Sequence, residues 1–258
     1  MGGIDLSGKS VLVTGGSRGI GAEICRTLAS YGARVFVHYH TAGDGAREVL
    51  REMNSPHGDR DMLQADIARP SDVETMFEKL DQICPQLDIL VNNAGAESIH
   101  SAVDLPLDEW DRIMNINLRG SFHCAQLAAR RMIGHGGVIV NLSSIHDQIP
   151  RKGLIHYCAA KAGVAMITKV LAVELAEHNI RVVSVSPGAI ETEMNREEIA
   201  KVGRDVLNSS IPLGRLGRPE EVANLVAFIC SDLAGYATGS TEYLDGGYML
   251  TAVKYDPR

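Results

Sequence analysis

The chain has 258 residues, 45% of them hydrophobic and 22% charged, the composition of one ordinary globular unit with a large core. A net charge of −7 with no offsetting basic stripe argues against nucleic acid or anionic membrane as the main partner. Five widely spaced cysteines with no Cys-x-x-Cys suggest neither a disulfide framework nor a zinc centre, so reduced thiols and no metal are expected.

Residues 1–5 lack the basic and apolar regions of a secretory leader, and no apolar run reaches membrane-spanning length, so a cytoplasmic location is expected. The first predicted strand is Ser10–Thr14. It runs into Gly15-Gly16-Ser17-Arg18-Gly19-Ile20-Gly21 and then into a predicted helix over 22–31. Glycines at 15, 19 and 21 suit a tight turn, close backbone approach to a pyrophosphate and close helix–strand packing, with the phosphates at the positive helix end. Gly15, Ser17, Arg18, Gly19, Ile20 and Gly21 are therefore candidate dinucleotide contacts.

Arg34–His38 reads as the second strand. An NAD-preferring site places an acid about 20 residues beyond the first glycine. Here the residues are Tyr39, His40 and Thr41, and no acid occurs before Asp44. With Arg18 available to meet a 2′-phosphate, NADP is the expected cofactor and NAD a possible one, Tyr39 and His40 lying at the adenosine end. Without a ligand, Arg18 is an ordinary surface arginine.

A charged helix around 44–53 leads to the third strand, Met62–Ile67. Asp66 at its carboxyl end either meets adenine, with Ile67 beside it, or caps the next helix. That helix is predicted over 71–83 with Ser71 as N-cap. The fourth strand, Leu87–Val91, delivers Asn92-Asn93-Ala94-Gly95, small groups that let backbone approach a cofactor. A long helical stretch over 107–133 is interrupted at Asn115–Leu118, and Asn117 within it needs polar partners. The fifth strand, Gly137–Leu142, ends at Ser143-Ser144. Tyr157 and Lys161 then lie one turn apart on one face of a helix ending near 176.

A free tyrosine titrates near ~10, too high for neutral acid/base work. An ammonium about 4 Å away in a partly shielded site supplies roughly 4 kcal/mol, enough to bring the phenol into range. Lys161 is thus expected to lower Tyr157. A sixth strand covers Ile180–Ser186. The alternation of strand and helix predicts a single α/β domain over 1–258, a doubly wound parallel sheet of about seven strands with helices on both faces.

Thr14–Gly21, Asn92–Gly95, Asn117, Ser144, Tyr157-x-x-x-Lys161 and Pro187-Gly188 together resemble the short-chain dehydrogenases/reductases, in order and in spacing, over nearly the whole chain. The resemblance implies Tyr157 as acid/base, Lys161 as the group that tunes it and binds the nicotinamide ribose, Ser144 as holder of the substrate oxygen, and Asn117 as anchor of a relay water. Ser143 is expected to be structural. The resemblance also places Asn93, Ala94, Gly95, Pro187, Gly188, Ile190 and Thr192 against the cofactor.

Within the family the chain is most similar to glucose and polyol dehydrogenases, through Ser144–Pro150, His156-Tyr157 and Gly188–Thr192. Arg151–Leu154 departs from the glucose enzymes and puts glucose itself in doubt. Polyhydroxylated substrates need polar partners, and Glu97, His146, Gln148, His156 and Asn195 are the candidates. The adjacent His146-Asp147 lacks the nucleophile elbow of a hydrolase.

Residues 191–213 correspond to a substrate lid in the family, and Pro219 with Glu220 and Glu221 opens the last long helix. The resemblance also implies a homotetramer, a dimer of dimers. The expected activity is NADP-preferring interconversion of a sugar, polyol or similar secondary alcohol and its carbonyl. The alternatives are reduction of a 3-oxoacyl carrier protein, with Arg130-Arg131 meeting the carrier, or general carbonyl reduction. A non-catalytic dinucleotide-binding regulator is disfavoured because Asn117, Ser144, Tyr157 and Lys161 are all present.

Overall fold

The computed structural model describes residues 2–193 and 196–251. At its centre lie seven strands: β1 (Ser10–Val13), β2 (Arg34–Tyr39), β3 (Met62–Gln64), β4 (Ile89–Asn92), β5 (Gly137–Leu142), β6 (Ile180–Pro187) and β7 (Thr241–Leu244). They form one sheet in the order β3-β2-β1-β4-β5-β6-β7, every neighbouring pair parallel. Stretches such as Val11-Leu12-Val13 are apolar at each position because both sheet faces are covered.

Alternation along each strand divides the core in two. Val11, Val13, Val35 and Val37 face α1 (Gly19–Ser30), α2 (Gly43–Glu52) and α9 (Pro219–Cys230). Leu12, Phe36, Leu90 and Ile139 face α3 (Pro70–Ile83), α5 (Ser121–Met132) and α6 (Ile155–Leu175). Each fully buried side chain of this size contributes about 1.5–3 kcal/mol. The chain runs outward from β1 to β3 and then crosses back to β4, so the strand order reverses between β1 and β4. Their carboxyl ends open the crevice in which such sheets bind ligands.

Two boundaries differ from the sequence reading. The third strand stops at Gln64, because the Asp66 carboxylate accepts the Ala68 N–H at 3.0 Å and turns the chain. Helix α3 begins at Pro70 after Arg69, so Ser71 is not its N-cap. Proline fills the first helical position, where a missing N–H costs nothing, and the Ser71 hydroxyl turns to Asp72. At the other end of the chain, Pro219 does open α9, with the Glu221 carboxylate accepting the Arg218 N–H at 2.8 Å.

Between α4 (Leu107–Met114) and α5, residues Asn115–Gly120 form a π turn, which accounts for the interruption seen in the sequence. Beyond β6, α7 (Arg196–Val202) and α8 (Arg204–Ser209) are separated by Gly203 at φ +93°. Of the free cysteines, Cys25, Cys84, Cys124 and Cys230 are buried and Cys158 is half-buried. Among the described residues, no helix is long and apolar enough to cross a membrane, and no cluster of side chains suits a metal ion.

Candidate active site

The turn from β1 into α1 packs against the end of β4. Gly15 sits at φ +65°, and a Cβ there would lie 2.9 Å from Ala94 Cα. A Cβ at Gly21 would overlap the Gly15 carbonyl. Asn93 Nδ2 donates to the carbonyls of Thr14 and Gly15, each at 3.0 Å, while Thr14 Oγ1 accepts the N–H groups of Asn93 and Ala94. The turn can pack this closely on the end of β4 only because no side chain projects at Gly15 and Gly21.

His38, on β2, supports the turn from below. The Gly15 N–H donates to His38 Nδ1 at 2.9 Å, and Nε2 lies 3.1 Å from the Ala65 carbonyl, which fixes the neutral Nε2–H tautomer. Burial lowers this histidine from 6.5 to about 4. A folded value below the unfolded one means that its contribution is complete above pH 6.5 and is lost as pH falls toward 4. The loss amounts to roughly 3 kcal/mol. Thermal unfolding against pH should therefore fall across this window in the parent chain and fall less in His38→Gln; parallel curves would refute the assignment.

A cleft of about 560 Å³ opens in front of the turn. It is lined by Gly15, Ser17, Arg18, Gly19, Ile20 and Gly21 from the turn, by Tyr39 and His40 after β2, and by Asp66 and Ile67 after β3. Asn93, Ala94 and Gly95, then Tyr157, Lys161, Pro187 and Thr192, also line it. Two expected members do not line it. The Ile190 side chain is buried in the core, and Gly188 lies against Asp245, where a Cβ would come within 2.8 Å of its Cα. Asp66 lines the cleft and turns the chain by accepting the Ala68 N–H, but it does not cap α3, whose N-cap is Arg69.

Asn117 is wholly buried in the π turn. Its Nδ2 donates to the carbonyls of Ala96 at 2.8 Å and Ile113 at 3.0 Å, and its Oδ1 accepts the Ala96 N–H at 3.3 Å. It clamps the cleft wall beside Gly95, where a Cβ would sit 2.8 Å from Asn117 Oδ1 and 3.8 Å from Lys161 Nζ.

Helix α6 brings Tyr157 and Lys161 to one face, as their spacing predicts. The Lys161 ammonium lies over the Tyr157 ring, 5.5 Å from its centroid, and donates to the Leu142 carbonyl at 2.8 Å. Tyr157 is hydrogen-bonded to Ser144. The expected lowering of Tyr157 is reversed: burial pushes the phenol up, Glu97 adds to the rise, and Ser144 opposes it. Lys161 is itself lowered to about 8 by burial, against the influence of Asp147 and Glu97. The physical reason is that the phenol and the ammonium share a shielded site, where loss of water outweighs a cation held over the ring.

Of the expected substrate residues that are described, only Glu97 lines the cleft. His146 presents a ring edge to Tyr157 at 6.3 Å between centroids, with Nδ1 held 2.9 Å from the Ile149 carbonyl. Gln148 is exposed and bonds Tyr243. His156 is fully buried and is directed at Ser98 Oγ, 2.9 Å away, because the next residue on a helix points about 100° from Tyr157. Its Nδ1 has no partner. Asn195 lies outside the described residues. Ser143 is structural, as expected, with bonds to Asp147 and to the Lys161 carbonyl.

Thr41, His38 and Arg112 also line the cleft and were not anticipated. A histidine inside an otherwise apolar strand was the available signal for His38. Arg112 carries none, since its pairing with Glu109 looks like an ordinary i, i+3 helix contact.

The model of a family described as enoyl-(acyl carrier protein) reductase matches residues 15–249. The 3beta-hydroxysteroid dehydrogenase 1 of Eggerthella lenta is 40% identical over 95% of both chains. Glucose 1-dehydrogenase 2 of Bacillus subtilis is 34% identical, covering 95% of this chain and 96% of its own. A crystal structure of a short-chain type dehydrogenase/reductase from Mycobacterium marinum superposes with a TM-score of 0.89 at 39% identity, over 97% of this chain and 98% of that one.

Proposed function

The chain belongs to the short-chain dehydrogenase/reductase family of NAD(P)-dependent oxidoreductases, and from that premise we propose that it interconverts a sugar, polyol or similar secondary alcohol and its carbonyl, preferring NADP. The observation that carries this reading is that Tyr157 and Lys161 line the glycine-lined cleft together, with Ser144 beside the Tyr157 phenol. The cradle at Gly15 and Gly21 fits a dinucleotide, which when bound supplies or accepts the hydride.

Tyr157 Oη gives a proton to the carbonyl oxygen, or takes one from the alcohol, with Ser144 Oγ holding the same oxygen. Lys161 keeps a positive charge beside the phenol and binds the nicotinamide ribose. Asn117 anchors the water that passes protons outward. Glu97 accepts a substrate hydroxyl. Residues 191–213 act as a lid, supported by the Gly203 break between two short helices and by the Glu191–Arg204 ion pair across the segment.

The preference for NADP rests on exposed Arg18 facing the same cleft as His40 and Thr41, while Asp44, the first acid after β2, is drawn to Arg47 at 3.0 Å. Arg18→Ala should raise KM for NADP about tenfold, the worth of one charge-assisted contact, and leave KM for NAD within twofold. Equal losses with both cofactors would contradict it.

A small-molecule substrate is favoured over a carrier protein because Arg131 is engaged by Asp81, at 2.6 Å from Nε, and lies over Phe77. Initial rates with sugars, polyols, secondary alcohols and a carrier-linked 3-oxoacyl thioester, each with both cofactors, test the substrate class. Saturation with the thioester but not with any alcohol would overturn it.

The exposed apolar row Met166, Val170 and Val173 along α6, with Val173 80% exposed, supports a homotetramer built as a dimer of dimers. A monomeric mass at micromolar concentration would contradict that assembly.

A further inference from the structure

Asp147 has no part in the chemistry above, yet it is a buried carboxylate 8% exposed. It ends the 3-10 turn Ile145–Asp147 that follows Ser144. Three hydroxyls converge on it, two from strands and one from the residue after β5. Ser143 Oγ, just after β5, donates to Oδ2 at 3.2 Å; Ser186 Oγ, on β6, donates to Oδ2 at 2.9 Å; Tyr243 OH, on β7, donates to Oδ1 at 3.0 Å. A carboxylate taken out of water needs such donors, and no requirement of the sheet itself places one there.

The same atoms lead to Lys161 by two routes. Ser143 Oγ also lies 3.1 Å from the Lys161 carbonyl, and Lys161 Nζ donates to the carbonyl of Leu142, the residue before Ser143. Lys161 is thereby fastened by its ammonium to the strand end that Asp147 anchors, and the single Ser143 hydroxyl proton is shared between Asp147 and the Lys161 carbonyl. We propose that Asp147 is a positioning residue for the Tyr157–Lys161 pair, fixing the end of β5 against α6 and keeping a negative charge behind the Lys161 ammonium.

The titratable groups facing Lys161 are Asp147 from the 3-10 turn, Glu97 from the segment after β4 and Tyr157 from α6 itself; Asp147 in turn faces Tyr243 from β7. Of these, Asp147 is the largest influence opposing the burial that lowers Lys161. The charge of Asp147 keeps the ammonium protonated at neutral pH, and its hydrogen bonds hold Ser144 and Lys161 in register.

The inference rests on the catalytic reading of Tyr157 and Lys161, but its first test needs no substrate. In protein labelled at lysine Cε, with the Lys161 signal assigned by its loss in Lys161→Met, Asp147→Asn should lower the Lys161 titration midpoint by about one pH unit. In carbonyl reduction the alkaline limb of kcat should move down with it. At neutral pH, with Lys161 moved from about 8 to about 7 and so about half charged, kcat should fall about twofold.

If the amide variant fails to fold, Tyr243→Phe takes its place. It removes one of three donors, loosens the hold on the Asp147 carboxylate that positions the end of β5, and should move both midpoints the same way by less. Unmoved Lys161 titration and rate profile, with only a lower melting temperature, would overturn the inference. Tyr157→Phe with retained turnover would instead overturn the catalytic reading, while the Lys161 titration still decides whether Asp147 acts on it.

Discussion

Tyr157→Phe is expected to lower turnover by about 10²- to 10⁴-fold while leaving the dissociation constant of the cofactor within twofold. The substitution removes one oxygen and leaves the ring under the Lys161 ammonium, so the aromatic packing that lines the cleft survives. What disappears is the phenol oxygen that meets Ser144, the atom assigned to exchange a proton with the substrate oxygen. Stability should change little, because the lost bond contributes about 1 kcal/mol and Ser144 Oγ still accepts the His146 N–H at 3.2 Å. A loss confined to KM would mean that the hydroxyl only binds substrate. Turnover within tenfold of the parent would remove Tyr157 from the chemistry.

The second large effect is expected at Gly21. Its missing Cβ is the space occupied by the carbonyl of Gly15 and the amide of Asn93, and the first of these is backbone that no rotamer change can clear. Gly21→Ala should therefore force α1 away from the turn. The expected cost is about 1–3 kcal/mol of stability, the range for overfilling a packed site. Because the turn that moves is the one proposed to cradle the pyrophosphate, affinity for NADP and NAD should fall together, by more than tenfold. Calorimetric titration and thermal unfolding measure the two separately. Parent-like affinity in the alanine variant would show that the cofactor does not depend on this contact.

What was legible in the sequence was whatever follows from local spacing. Val11-Leu12-Val13 and Val138-Ile139-Val140 declare buried parallel strands, and Tyr157 and Lys161 declare a shared helix face. The fold and the floor of the cleft follow from such patterns. Spacing also misleads in specific ways. It placed His156 beside Tyr157 in sequence, but the helix turns the imidazole into the protein toward Ser98. It offered Ser71 as a cap and could not weigh Pro70 before it.

The titration of Tyr157 was misjudged because a sequence gives the separation of two groups along a helix but not how much water surrounds them. Asp147 was hidden for another reason. Its partners Ser143, Ser186 and Tyr243 are far apart in the chain and meet only because β5, β6 and β7 lie side by side.

The central claim is direct hydride transfer between an alcohol carbon and a nicotinamide held in the glycine-lined cleft. It is tested most directly by incubating the protein with NADP and polyols or secondary alcohols carrying deuterium at the carbinol carbon, then examining the reduced nicotinamide by mass spectrometry and proton NMR. The account predicts deuterium on one face of the nicotinamide ring, in amounts that match the carbonyl formed and that vanish in Tyr157→Phe. Carbonyl formation with no deuterium in the nicotinamide, or equal transfer by the Tyr157→Phe protein, would contradict it.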